Sequence, residues 1–62
     1  MLDNEFMILY LLVEGYSNKE MAQLLFLSEF TVHDYIKKLM IKLNARNRTQ
    51  IISTAFRMGL VE

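Results

Sequence analysis

The sequence predicts an all-α fold, a four-helix helix-turn-helix domain of the tri-helical type. Three observations predict it. Proline is absent from the 62 residues, and the two glycines, Gly15 and Gly59, stand where helical patterns stop. Apolar residues recur at three- and four-residue spacings, and no stretch keeps the period-two alternation of a strand. Two runs, Ser17-Asn18-Lys19-Glu20 and Asn47-Arg48-Thr49-Gln50, have the spacing of an N-terminal capping box.

Helix one is expected from about Asn4 to Glu14. Asp3 can cap it, and Glu5 suits the positive end of its dipole. Ile8, Leu9, Leu11 and Leu12 supply its core face, and Gly15 ends it in the left-handed conformation. Phe6, Met7, Tyr10 and Val13 make this helix apolar nearly all round. Either a partner covers its outer side, or Phe6 and Tyr10 lie flat on the domain surface.

Helix two opens at the Ser17 capping box and ends near Leu25. Met21, Leu24 and Leu25 line one side, with Ala22 as a small contact position. Phe26-Leu27-Ser28 is a tight connection to helix three. Two short helices joined by about three residues form a helix-turn-helix pattern, although this turn lacks the glycine often found there.

Helix three runs from the Ser28 cap to Leu43. Leu27 and Val32 are placed for a hydrophobic staple. Val32, Ile36, Leu39 and Leu43 share one face. At about 100° per residue, Phe30, Asp34, Lys37 and Ile41 fall opposite, flanked by His33 and Lys38. Asn44 is expected to stop the helix in the left-handed region. Asn47 caps helix four, with Gln50 completing a capping-box variant. Ile51, Ile52, Ala55 and Phe56 form its apolar face, Arg57 suits its C-terminal end, and Gly59-Leu60 has the pattern of a Schellman stop.

Length allows one domain, spanning residues 1–62. With no cysteine and one histidine, disulfides, thiolate sites and histidine metal clusters are excluded, and no cofactor motif is present. Catalysis lacks a nucleophile beside a base, and no glycine-rich loop exists to cradle a phosphate. The longest apolar run, Phe6 to Val13, is far short of a membrane span, and no basic segment precedes it as in a signal peptide. A cytoplasmic location fits, so no membrane partner is expected.

Net charge is zero, but the charges are segregated. Asp3, Glu5, Glu14, Glu20 and Glu29 precede Thr31 with Lys19 alone against them. Lys37, Lys38, Lys42, Arg46, Arg48 and Arg57 follow, against Asp34 and Glu62. Such a chain can present one basic face. A helix that enters a DNA groove needs polar side chains near its N-terminal half to reach base edges. It also needs bases at its margins to engage phosphates. His33, Asp34 and Lys37 match the first need. Lysine suits guanine acceptors, aspartate accepts from cytosine N4, and histidine does either. Thr31, Tyr35, Lys38, Lys42, Arg46 and Arg48 match the second. Phe30 is placed either to touch a thymine methyl or to pack near the turn.

The run Leu11-Leu12, Gly15, Ser17-Asn18-Lys19-Glu20, Ala22, Leu25, Ser28-Glu29, Thr31-Val32, Lys42-Leu43, Asn47-Arg48-Thr49-Gln50, Ala55 and Gly59-Leu60 resembles the LuxR-type (GerE-type) helix-turn-helix domain of bacterial transcription regulators. The resemblance covers essentially the whole chain. It implies that helix three is the recognition helix, entering the major groove. It also implies that helix four pairs with its copy to make a homodimer on two half-sites. Thr49, Gln50, Ser53 and Phe56 are the expected dimer residues, with a monomer or weak dimer in the absence of DNA. The resemblance further implies an N-terminal sensory or receiver domain outside this chain. Departures from the family pattern are local. His33 stands where a basic base-contacting residue, commonly Lys, is usual, and Tyr35 where His is common. Leu2 occupies the usual Thr cap. Phe6, Met7, Tyr10 and Ile41 replace mostly polar residues.

The resulting expectation is sequence-specific binding of duplex DNA for transcription regulation. Two alternatives stay open. One is a protein-interaction module on the same scaffold, using Phe6, Tyr10 and Phe30 as an apolar patch. The other, close in fold, is a sigma-factor region-four domain.

Overall fold

In the computed structural model, which describes residues 4–61, four helices follow one another: α1 (Asn4–Val13), α2 (Asn18–Leu25), α3 (Glu29–Lys42) and α4 (Arg48–Arg57). None is long enough to be stable alone in water, so packing has to hold them. The packing is one buried cluster fed by every helix. Ile8, Leu9, Leu11 and Leu12 come from α1, Met21 and Ala22 from α2, Val32, Ile36 and Leu39 from α3, and Ile51 and Ala55 from α4. Helix α3 packs on each of the other three, and α1 also meets α2 and α4. The cap expected at Asp3, and Leu2 at the family's usual cap position, lie outside the described residues.

The helix starts follow the predicted chemistry. Ser17 Oγ accepts from the Glu20 N–H (3.1 Å), and Glu20 Oε1 accepts from the Ser17 N–H (2.9 Å), closing the capping box of α2. Ser28 Oγ accepts from the Thr31 N–H at 3.0 Å and caps α3. Leu27, just before it, packs against the cluster that contains the fully buried Val32. Asn47 Oδ1 accepts from the Gln50 N–H at 2.9 Å and caps α4. The box variant expected at this cap is displaced by one residue. Gln50 Oε1 accepts from the Arg46 N–H (2.6 Å) and not from that of Asn47, so it ties the preceding loop to the helix.

The stops are equally regular. Gly15, Asn44 and Gly59 all have positive φ, at 94°, 53° and 72°. In each case the next residue's N–H reaches back to the helix: Tyr16 to the Leu11 carbonyl, Ala45 to Met40 and Leu60 to Ala55. These are Schellman stops. The first ends α1 at Val13, one residue short of the predicted Glu14. The fourth stop was not legible in the sequence. Phe26 occupies the left-handed position after α2, at φ 57°, and its ring is 94% exposed. The Leu27 N–H then bonds the Ala22 carbonyl at 2.9 Å.

Two expected core positions are corrected. Leu24 is 53% exposed, because α2 is short and only Met21, Ala22 and part of Leu25 reach the cluster. Phe56 is 48% exposed, and on α4 the buried residue in its place is Thr54. The Thr54 hydroxyl is satisfied by the Arg57 guanidinium, which donates to Oγ1 at 2.9 Å.

Phe26 and Glu20 each give an expected outcome. The left-handed conformation costs an L-residue about 1–2 kcal/mol, and glycine escapes that cost but loses up to about 1 kcal/mol more chain entropy on folding. Since the exposed ring contributes little packing, Phe26→Gly should stabilise the fold by about 0.5–1 kcal/mol and raise the thermal midpoint by roughly 4 °C. A lower midpoint would show that the ring packs in solution. The Glu20 carboxylate is held below the usual range by the Ser17 N–H first and the Ser17 hydroxyl second. A depressed carboxyl contributes stability above its unfolded-state value, and that contribution is lost as pH falls through its folded value. Glu20→Gln should therefore remove part of the loss of thermal midpoint in acid, as read by a series of melts from neutral to acidic pH.

Candidate nucleic-acid interface

The interface is set by which side of α3 the core takes. Val32, Ile36 and Leu39 are buried, and Leu43 packs against the cluster. The opposite row, Phe30, Asp34, Lys37 and Ile41, is exposed along its whole length, with Phe30 at 74% and Ile41 at 81%. His33 and Lys38, which flank the row, are exposed as well. Among the described residues, His33, Asp34 and Lys37 make no hydrogen bond or ion pair. The three expected base-reading residues thus stand together on one open surface, with their donors and acceptors uncommitted.

The expected phosphate residues divide into two groups. Thr31 is half-buried, and its Oγ1 accepts from the Ser28 hydroxyl at 2.9 Å. That geometry leaves the Thr31 hydroxyl hydrogen available to an outside acceptor. Tyr35 is half-buried beside the core, and the Lys38 ammonium lies 5.3 Å from its ring centre, within cation–π range. Arg46 is exposed, and it lines a shallow depression with Lys37, Met40, Ile41, Asn44 and Ala45. A candidate base-reading lysine and a candidate phosphate-binding arginine therefore share one concavity at the C-terminal end of α3.

Lys42 and Arg48 are engaged inside the fold. Lys42 Nζ lies 2.6 Å from Glu5 Oε1, joining the end of α3 to the start of α1. Arg48 Nη1 donates to Asn18 Oδ1 (2.6 Å) and Nη2 to the Tyr16 carbonyl (2.8 Å). This fork ties the first turn of α4 to the α1–α2 connection. Neither tie carries a sequence signal, because the partners are 37, 30 and 32 residues apart.

On α4, Thr49, Gln50, Ser53 and Phe56 are all exposed. Ser53 Oγ donates to the Gln50 carbonyl at 3.3 Å, which keeps that hydroxyl close to the helix. The small side chains at 49 and 53 leave a low surface beside the ring of Phe56. Among the described residues, no helix is long and apolar enough to cross a membrane.

The sequence profile of bacterial regulatory proteins of the luxR family matches residues 3–55. The chain is 46% identical over 48 residues to the DNA-binding transcriptional activator DevR/DosR of Mycobacterium tuberculosis, covering 77% of this chain and 22% of that protein. It is 33% identical to the transcriptional regulatory protein DegU of Brevibacillus brevis, over 89% of this chain and 23% of DegU. It is also 33% identical to the response regulator protein VraR of Staphylococcus aureus, over 97% of this chain and 29% of VraR. The chain thus spans between a fifth and a third of the length of these relatives. Four helices without a strand among the described residues, a capped helix-turn-helix and this profile lead to one conclusion: the chain belongs to the luxR family of bacterial regulatory proteins.

Proposed function

We propose that residues 1–62 form a sequence-specific duplex-DNA-binding domain of a bacterial transcription regulator, acting in the cytoplasm at the nucleoid. The observation that carries this reading is the open face of α3, where His33, Asp34 and Lys37 make no bond within the described residues. In this reading α3 lies in the major groove and those three side chains meet base edges. Thr31, Tyr35, Lys38 and Arg46 take phosphates at the groove margins. Lys42 and Arg48 add positive charge at the edges while holding the fold, so their contribution to DNA is partly indirect.

One such helix reads only a few base pairs. Two copies joined through the exposed face of α4, with Thr49, Gln50, Ser53 and Phe56 in the contact, would read two half-sites about one helical turn apart. That face is small and mostly polar, which supports a monomer or weak dimer off DNA and a dimer on it. The greater length of the relatives leaves room for a further domain, and in this reading it is the sensory or receiver domain that the resemblance places N-terminal to this one.

A second reading is favoured by one observation. Phe6, Tyr10, Val13, Leu60 and Val61 line a groove between α1 and the C-terminal residues. A protein partner seated there would make the chain an interaction module on the same scaffold. The two readings separate on one pair of variants: Phe6→Ser leaves DNA binding intact in the first, and Lys37→Ala leaves partner binding intact in the second.

Two substitutions test the first reading on duplex DNA, and a third tests the fold beneath it. Lys37→Ala should weaken binding to a selected site by about 1–3 kcal/mol without moving the thermal midpoint. Arg46→Ala should weaken binding to all sequences alike and reduce the slope of log K against log salt by about 1. Wild-type binding that is insensitive to salt would overturn the reading. Arg48→Ala, by contrast, should lower the thermal midpoint, because it removes the fork to Asn18 and Tyr16. These are exposed, charge-assisted bonds, so the expected cost is about 1 kcal/mol, read by thermal melting.

A further inference from the structure

We propose that Phe30 and Asp34 give this chain a base preference of its own: a thymine methyl against Phe30 and a cytosine amino group against Asp34, on the side away from a guanine taken by Lys37. The inference rests on α3 being the groove helix and adds what that helix selects.

Asp34 is the informative residue. A carboxylate among phosphates is repelled, so it needs a local reason to face them. On a helix it lies within reach of Lys37 three residues on and Lys38 four residues on, and either would neutralise it. Neither does so. Lys38 sits over the Tyr35 ring, Lys37 makes no bond within the described residues, and the Asp34 carboxylate is exposed and unbonded there. A carboxylate left open in this row accepts hydrogen bonds and donates none. Guanine O6 and N7 and thymine O4 are acceptors and repel it. Adenine N6 donates, but the N7 lone pair lies beside it. Cytosine N4 is the one major-groove donor with no adjacent acceptor on its own base.

Phe30 precedes Asp34 by four residues in the same row, and its ring is 74% exposed. The core clusters without it, so its exposure has no packing return. The thymine C5-methyl is the apolar group that the major groove offers. Four helical residues rise about 6 Å, close to two base-pair steps of about 3.4 Å. Lys37 follows Asp34 by about 4.5 Å more. The row therefore sets an order along the groove of thymine, then cytosine, then guanine, within about four base pairs.

The test is selection from random duplex DNA by the wild-type chain and by Phe30→Ala, Asp34→Ala and Asp34→Asn, followed by equilibrium binding to the selected duplex. Each side chain is exposed, and an unchanged circular-dichroism melt verifies that the variants fold. Wild type should enrich one cytosine position, with any other base there weakening binding about tenfold. Asp34→Ala should erase that position alone. Asp34→Asn should convert it to adenine, because an amide pairs with N6 and N7 together. Replacing the selected thymine by deoxyuridine removes one methyl and should weaken wild-type binding about fourfold while leaving Phe30→Ala unmoved. Salt-dependent binding whose enrichment is the same in all four proteins, or a silent uridine replacement, overturns this inference and leaves the DNA reading standing. Absence of any salt-dependent binding by wild type overturns both.

Discussion

Burial of the Val32, Ile36 and Leu39 stripe is the requirement on which the structure depends. A chain of 62 residues with no disulfide has little apolar surface to spare, and α3 is its longest helix. Covering that stripe takes α1, α2 and α4 together, each too short to stand alone. Because three helices are spent on one side of α3, none is left for the other. The open row from Phe30 to Ile41 is the geometric remainder of making a core this small. The same economy explains Leu24 and Phe56, which have helical spacing for burial but no surface left to pack against.

Polar ties do at the ends what the core does in the middle. Lys42 to Glu5 fastens the last turn of α3 to α1, and Arg48 fastens α4 to the start of α2. Both use cations from the basic second half of the sequence. The charge segregation that is conspicuous along the chain is thus partly consumed in holding it together. What remains around the open row is Lys37, Lys38 and Arg46 with His33, set against the carboxylates of Asp34 and Glu29. A field this modest cannot by itself give tight binding to a polyanion, so the proposed DNA contact needs contributions beyond charge.

The fold was legible in the sequence where its cause is local. Ser17 with Glu20, Ser28, and Asn47 with Gln50 mark helix starts through bonds three residues long. Gly15, Asn44 and Gly59 mark stops through a backbone conformation that few residues accept. The stripes on α1 and α3 follow from periodicity, and the exposure of His33, Asp34 and Lys37 follows from the stripe. What could not be read depends on tertiary neighbours. The roles of Lys42 and Arg48 are fixed by partners 30 or more residues away. The Gln50 bond slipped from Asn47 to Arg46 because the Arg46 N–H, in the loop, was also within its reach. Thr54 is buried on α4 because Arg57, one turn on, satisfies its hydroxyl.

Phe26 is the residue at which local and global demands part. Propensity alone would put glycine there, since the position is left-handed and the ring is exposed. The conformation persists because both sides of it are fixed: the Leu27 N–H is bonded back to Ala22, and the Leu27 side chain is drawn onto the core. The residue between them has no freedom to relax. Its left-handed turn sets the direction in which α3 leaves α2, and so the angle at which the open row is presented. Backbone strain at this joint is therefore coupled to the open row through only two residues, Leu27 and Ser28. A change at position 26 that altered the turn would move Phe30, His33 and Asp34 together, whereas a change on the row itself would alter one contact at a time.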